Sequence, residues 1–327
     1  MKLLVTGGAG YIGSVVALQL VESGHEVTVI DDLSKGRERA VPEGASFVGV
    51  DLLDAEGLSR VLAPGYDGVL HFAALSLVAE SVEQPGRYYR ANVAGTLNLL
   101  DAMRAAGVPR LVFSSTAAVY GEPEEMPIPE TASTRPTNPY GGSKLATDQL
   151  IGFYARAHGL QATSLRYFNV AGASGDLGED HDPETHLIPL VLKAAFGEEE
   201  SVKIFGTDYP TPDGTAIRDY IHVEDLAWAH LLALEAAEPE EHRIYNLGNG
   251  AGFSVREVVE AARRVTGREI EAIEAPRRAG DPPVLVASSK KIREDLGWVP
   301  EKPGLEDMIS DAWNWMLNHP RGYEEGE

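Results

Sequence analysis

The sequence predicts an α/β protein in which a doubly wound parallel sheet is joined to a second, smaller α/β domain that binds substrate. Three observations carry this. Up to about residue 170, short β-branched runs alternate with longer helical patterns, as βαβ units require. A glycine-rich turn links the first strand to the first helix, and the second strand ends in an acid. Beyond Asn169 the alternation loosens into Gly- and acid-rich stretches, Gly172 to Pro183 and Asp208 to Gly214, whose long loops suit binding.

The strands read as Leu3–Thr6, Glu26–Asp31, Ser46–Asp51, Gly68–Ala73, Arg110–Ser115 and Ala162–Tyr167. Helical patterns at Tyr11–Ser23, Ala55–Leu62, Tyr88–Ala106 and Tyr140–Ala157 are long enough for right-handed crossovers between parallel strands. A helix follows at Leu187–Phe196, then a short strand and helix across Asp219–Glu235, opening at His222-Val223-Glu224-Asp225. Strand Arg243–Leu247, helix Ser254–Thr266, a Pro-rich loop at Ala275–Pro283 and an amphipathic helix at Leu305–Leu317 complete the chain, with Tyr323–Glu327 expected as a frayed acidic tail. The boundary falls near residue 170, giving domains 1–170 and 171–327, with 215–238 returning to the first.

The chain has 327 residues and a formal charge of −22, which argues against nucleic acid or an anionic membrane surface as partner, since both need surplus cations. It has no cysteine, hence no disulfide, thiolate metal site or cysteine nucleophile. No apolar run approaches the roughly 18 residues of a spanning helix. Met1 to Thr6 runs straight into glycines without an export signal, so a soluble, cytoplasmic protein is expected.

Gly7-Gly8-Ala9-Gly10-Tyr11-Ile12-Gly13 stands between the first strand and helix. Gly7 permits the tight turn, Gly10 lets backbone approach a pyrophosphate, and Gly13 allows close packing; the helix N-terminus offers N–H groups to phosphate. Asp31, closing the second strand, can hold the adenosine ribose hydroxyls and would repel a 2′-phosphate, so the expected cofactor is NAD rather than NADP. In Tyr140-Gly141-Gly142-Ser143-Lys144, a Tyr and a Lys share one helix face a turn apart. An ammonium there would lower the tyrosine pKa toward that of a general base. Thr116, at the carboxyl end of the strand before this helix, can bond the substrate oxygen; Ser114 and Ser115 read as strand lining.

The Gly-x-x-Gly-x-x-Gly spacing, with the Tyr-x-x-x-Lys pair, resembles the extended short-chain dehydrogenase/reductase family and its Rossmann-type fold. Along nearly the whole chain the likeness narrows to the UDP-glucose (UDP-galactose) 4-epimerases. It is carried by His71-Phe72-Ala73-Ala74, Arg166-Tyr167-Phe168-Asn169, Arg218-Asp219-Tyr220-Ile221-His222-Val223, Arg277-Arg278-Ala279-Gly280-Asp281 and Leu296-Gly297-Trp298. The resemblance implies a catalytic trio of Tyr140, Lys144 and Thr116. It implies an NAD site built from Gly7, Gly10, Tyr11, Ile12, Gly13, Asp31, Asp32, Leu33, Ser34, Lys35, Gly36, Asp51, Leu52, Phe72, Ala73, Ala74, Ser76, Asn92 and Phe168, together with Tyr140 and Lys144. Ser76 stands where many members have lysine.

For the substrate, the resemblance implies Asn169, Arg218 and Arg278 on the diphosphate, Phe205 on the uracil and Asp281 on a ribose hydroxyl. His186, Leu187 and Lys203 complete the nucleotide side, and Leu285 a sugar-pocket position; Thr116 and Tyr140 face the sugar. Guanidinium forks suit phosphate oxygens and a flat ring suits a pyrimidine. The implied reaction inverts C4 of a UDP-hexose through transient oxidation to a 4-keto sugar, with NAD regenerated each cycle. Homodimers through Tyr88–Ala106 and Tyr140–Ala157 are also implied. A 4,6-dehydratase is the nearer rival, but its strand-end threonine is followed by Asp-Glu, whereas Thr116 precedes Ala117-Ala118. Two more distant rivals are a UDP-glucuronate 4-epimerase and a noncatalytic NAD sensor; the sensor has no need of the trio.

Gly248-Asn249-Gly250-Ala251-Gly252 imitates a second nucleotide loop but lacks an acid in register and reads as a structural turn. His181 and His186, five apart around Pro183, do not match a helical metal site, and no metal is expected. His222, Glu224 and Asp225 read as helix capping.

Overall fold

The structure is a computed structural model that describes residues 1–278 and 281–323. Its frame is a seven-stranded sheet of β1 (Lys2–Thr6), β2 (Glu26–Asp31), β3 (Ser46–Gly49), β4 (Gly68–His71), β5 (Arg110–Thr116), β6 (Gln161–Tyr167) and, far along the chain, β11 (His242–Leu247). The order is β3-β2-β1-β4-β5-β6-β11, and every pairing is parallel. The direction of winding reverses between β1 and β4, so a crevice opens at the carboxyl ends of those strands.

Alternation along β1 divides its side chains between two cores. Leu3 and Val5 pack with α1 (Tyr11–Glu22) and α8 (Val223–Glu235) through Val15, Val16, Leu20, Leu226 and Leu231. Leu4 packs on the other face with α2 (Ala55–Leu62), α5 (Gly95–Ala106) and α6 (Pro139–His158), through Leu58, Leu62, Leu99, Met103 and Ile151. The return of the chain goes further than 215–238. Besides α8, β11 extends the sheet beside β6, and Trp298 is fully buried in the α1 core, its Nε1 donating to Asp225 O at 3.0 Å.

The rest builds a smaller α/β layer. It contains β7 (Asn169–Ala171), α7 (Leu187–Phe196), β8 (Val202–Phe205), β9 (Ile217–Arg218), β10 (Tyr220–His222), β12 (Phe253–Ser254), α9 (Val255–Thr266), β13 (Ala272–Ala275), β14 (Val284–Leu285) and α11 (Leu305–Asn318), whereas α10 (Lys290–Leu296) packs on β11 and buries Ile292 in the α1 core. α7, α9 and α11 share a core of Val191, Leu192, Val258, Ala262, Met308 and Trp313. The strands of this layer are two to four residues long, too short to show a period in sequence. Residues 279, 280 and 324–327, part of the Arg277–Asp281 motif and of the acidic tail, lie outside the described residues.

The helix expected over Tyr88–Ala106 is not continuous. After α3 (Val78–Glu83), a short α4 (Pro85–Tyr88) passes into a π-helical stretch, Tyr89–Ala94, before α5 begins. The wider turn carries Asn92, and such segments recur at functional sites. Local chemistry explains the other ends. α6 starts with Pro139 in its first turn and Asn138 accepting from Gly141 N at 2.9 Å, and stops at Gly159 with φ 73°. α9 opens on a capping box of Ser254 and Glu257. Among the described residues no helix is long and apolar enough to cross a membrane.

Candidate active site

α1 begins without a side-chain cap: Gly10 is its N-cap and its first turn holds no acid. Its free N–H groups and positive dipole end therefore face the crevice. Gly7 has φ +71°, and a Cβ there would lie 2.4 Å from Ala73 N; at Gly13 it would lie 2.3 Å from Gly7 O. At Gly10 it would meet only Gly7 O, at 3.4 Å, so this glycine leaves open space. That is the cradle a pyrophosphate needs, closed below by backbone and open above.

Asp31 lies at the end of β2, 7% exposed, and accepts from Ala9 N at 3.2 Å and Leu33 N at 2.9 Å. Burial lifts its carboxyl above the ordinary range and these N–H bonds oppose it, so its charge still has room for hydroxyl donors such as those of a ribose. The following loop forms a wall. Leu33 sits at φ 58°, Asp32 accepts from Ser34 N at 2.9 Å, and Gly36 runs so close to Ala9 that a Cβ would approach it to 3.0 Å. Lys35 turns away to Asp182 O at 2.7 Å. Asp51 accepts from Leu53 N at 2.9 Å, and Leu52 is buried against α5. Ile12 is half-buried in the α1 core, while Tyr11 donates to Gly172 O at 2.7 Å, tying α1 to the second layer.

Beyond β4, Phe72, Ala73 and Ala74 line the floor as loop, and Ser76 is exposed. Asn92, buried at the π turn, holds that loop from both sides: Oδ1 accepts from Leu75 N at 2.8 Å and Nδ2 donates to Leu75 O at 3.0 Å and Ser143 Oγ at 2.9 Å. The expected cofactor residues thus fit NAD: an open glycine cradle, an uncapped helix end and a buried, incompletely bonded carboxylate.

The trio gathers at the carboxyl end of β5. Tyr140 stands in the first turn of α6 and hydrogen-bonds with Thr116, whose Oγ1 also accepts from Ala118 N at 3.2 Å. Lys144 is buried, its Nζ donating to Ser114 O at 2.7 Å and lying 4.8 Å from the Phe113 ring centroid. The expected lowering of the tyrosine by this ammonium is not what the geometry gives. Burial pushes the Tyr140 phenol up and the Thr116 hydrogen bond opposes it, while burial brings Lys144 down to about 8 against the pull of Asp148. Lys144 is oriented by the Ser114 carbonyl and the Phe113 ring. Ser114 and Ser115 are not idle lining: Ser114 Oγ bonds the Tyr167 hydroxyl and its carbonyl holds Lys144, while Ser115 Oγ donates to Asp148 at 3.1 Å.

The short strands carry the residues expected on the nucleotide side. Arg218 on β9 lies 3.6 Å from Asp281 and donates to Ile217 O, and its strand neighbour in register is Leu285 on β14. Leu285, like Phe168, packs against the buried Val119, Tyr120 and Ile128. Arg278 stacks on Phe205 with its Cζ 3.9 Å from the ring centroid. Lys203 is exposed on β8, two residues from Phe205 and on the same face. Asn169 Nδ2 donates to Asp219 O at 2.9 Å. His186 is the N-cap position of α7, and Leu187 its first residue.

Asp219 organises this side more than its place in a motif suggested. Buried, it accepts from Ala287 N at 2.9 Å, Asn249 N at 2.7 Å and Gly250 N at 3.2 Å, so the Gly248–Gly252 turn is a structural fitting around a carboxylate. His222 Nδ1 accepts from Glu224 N as helix cap, and Asp225 instead ties down Glu301 N and Lys302 N. Sequence reading missed the buried pair Asp148–Arg166, 2.9 Å apart behind Lys144.

A glycine cradle with a strand-end acid, and a Tyr-Lys-Thr trio facing it across the crevice, define a nicotinamide-dependent enzyme of the short-chain type. The family model "NAD dependent epimerase/dehydratase family" matches residues 3–248, and the chain belongs to that family. A UDP-glucose 4-epimerase of Streptomyces lividans is 59% identical over 99% of this chain and 98% of its own length. The solved UDP-glucose 4-epimerase of Brucella ovis, in complex with NAD, is 45% identical, with TM-score 0.92 over 96% of this chain and 97% of that one. That of Bifidobacterium longum, in complex with NAD+ and UDP, is 38% identical, with TM-score 0.92 over 99% and 100%.

Proposed function

We propose that this protein is an isomerase that inverts C4 of a UDP-hexose, interconverting UDP-glucose and UDP-galactose with NAD bound in the β1–β4 crevice. One arrangement carries the reading: Arg218 pairs in register with Leu285, Leu285 and Phe168 both pack against Val119 and Tyr120, and Thr116 caps the turn that carries Val119. Residues 1–170 with the returning segments then hold the cofactor, and most of 171–327 holds the nucleotide sugar. The nicotinamide supplies a reversible two-electron acceptor. Tyr140 takes the proton of the sugar 4-hydroxyl, and Thr116 shares that hydrogen bond and fixes the phenol's direction. Tyr140 returns the proton to O4 once the 4-keto sugar has presented its other face.

Such a turn is possible only if the sugar is loosely held while the nucleotide is fixed. Arg218, Arg278 and Asn169 suit the diphosphate, and Phe205, backed by the Arg278 guanidinium, suits the uracil. His186, Leu187, Lys203 and Asp281 complete that anchor. Leu285 offers the sugar only an aliphatic surface, with no hydrogen bond to pin one face. Purified protein given UDP-galactose should form UDP-glucose, separated by anion-exchange chromatography, with no accompanying rise in NADH absorbance. Absence of conversion with NAD present would overturn the assignment. Elimination of water is disfavoured because Ala117 and Ala118 follow Thr116 where an acid pair would be needed.

Homodimer formation is part of the same proposal. Val78, Val82, Tyr89, Leu97 and Phe153 are exposed on α3, the π stretch, α5 and α6, Val82 and Phe153 each by 61%. Light scattering should give twice the chain mass; a monomer at micromolar concentration would refute it.

A further inference from the structure

The loop between β7 and α7 carries a cluster of which only His186 is also part of the proposed nucleotide anchor. Glu179, His181, Glu184 and His186 each turn one ligand atom toward a common point, all four lying within 4.8 Å of one another. Nδ1 of His181 and Nδ1 of His186 both stand 2.8 Å from Oε1 of Glu179, and His186 Nδ1 is also 2.9 Å from Oε1 of Glu184. The carboxylates are enclosed, 9% and 3% exposed, while the imidazoles keep 32% and 42%.

The one hydrogen on His186 Nδ1 faces oxygens of two carboxylates, Glu179 and Glu184. A divalent cation would serve both at once, balancing two carboxylates with both imidazoles neutral. We propose that Glu179, His181, Glu184 and His186 form a structural divalent-metal site that takes Zn2+ or a similar borderline ion. Two imidazole nitrogens favour such an ion over Mg2+ or Ca2+, which prefer all-oxygen shells. Four protein ligands leave no open position, as in structural rather than catalytic zinc. Zinc bonds of about 2.0–2.1 Å set tetrahedral ligand atoms roughly 3.3 Å apart, so the 2.8–2.9 Å contacts would open while the wider pairs, which reach up to 4.8 Å, would close around the ion.

The position gives the ion work to do. Lys35 donates to Asp182 O at 2.7 Å and Arg37 to Asp180 at 3.1 Å, from the cofactor wall. On the opposite side Trp315 Nε1 donates to Asp176 O at 3.1 Å, and Gly178 N donates to the Tyr323 hydroxyl at 3.0 Å. A cross-link inside this loop fixes the cofactor wall, α7 and the C-terminal helix to one another. The spacing that argued against a metal in sequence is a helical criterion, and residues 176–186 form a loop. The proposal shares His186 with the proposed nucleotide anchor and otherwise stands apart from the epimerase reading.

Chelator-treated, full-length protein should bind about one Zn2+ per chain by mass spectrometry of the metal after desalting, and at a hundredfold excess over Kd its Tm should rise about 4 °C. Mg2+ should give no such rise. His181→Ala should weaken zinc binding more than about a hundredfold, beyond the roughly 10–100-fold that loss of an outer-shell partner costs, while NAD content is unchanged. Should zinc neither bind nor shift Tm in the parent protein, or should His181→Ala bind it as tightly as the parent, the proposal falls. If the variant fails to fold, the parent's stoichiometry and Tm decide alone.

Discussion

Tyr140→Phe should bind UDP and NAD as the parent does, yet turn over about 10²–10⁴-fold more slowly, a general acid–base contribution of typical size. The substitution removes one oxygen from the first turn of α6 and little else. The turn keeps its Pro139 start and its Asn138 cap, and Thr116 Oγ1 keeps its bond from Ala118 N. Stability should therefore change by no more than about 1.5 kcal/mol, the worth of a single hydrogen bond. The nucleotide anchors Arg218, Arg278 and Phe205 are untouched, so KM should hold within about threefold while kcat collapses, the pattern expected when a transition-state interaction alone is lost. Turnover within tenfold of the parent would show that another group moves the proton, with Thr116 the first to examine.

The parts of this site that could be read from sequence are those governed by local geometry. Gly7 and Gly13 are dictated by overlaps of a Cβ with backbone, and Tyr140 and Lys144 share a face because helical spacing compels it. Parallel strands of β-branched residues were equally plain. What stayed hidden depends on the meeting of distant segments. Asp148 and Arg166 are ordinary helix and strand residues until α6 lies against β6. Asp219 gains its meaning from Ala287, which lies well beyond the Asn249 turn that the same carboxylate holds. The π turn at Asn92 breaks a pattern that reads as one helix, because widening a turn leaves hydrophobic periodicity nearly intact. The charge of −22 tells nothing of where individual cations stand; Lys144 is buried beside the end of β5 and Arg218 partly buried on β9.

Removing Asp148 should be the most damaging single change outside the trio. Its Oδ2 receives Arg166 Nε at 3.1 Å, Arg166 Nη2 at 2.9 Å and Ser115 Oγ at 3.1 Å, with both charged side chains under 5% exposed. Arg166 Nη1 continues to the Tyr120 hydroxyl at 3.0 Å, which donates to Asn246 Oδ1 at 2.7 Å. Asp148→Ala leaves a guanidinium buried without its counter-charge, at a cost of about 3–5 kcal/mol, or roughly 4–7 °C in Tm for a chain of this size. Replacing both partners, Asp148→Leu with Arg166→Met, should recover most of that loss, because two desolvated charges are removed together. Lys144 separates this structural effect from an electrostatic one. Its folded pKa, about 8, lies below the ordinary 10.5 because burial outweighs the attraction of Asp148. The ammonium is present below that pH and lost as pH rises through it. Without Asp148 the depression is unopposed, so the alkaline limb of the pH–rate profile should move to lower pH in the single variant and stay there in the stability-restored double variant. An unmoved limb in the double variant would mean that Asp148 serves packing alone, and that Lys144 is held charged by Ser114 O rather than by the carboxylate one turn behind it.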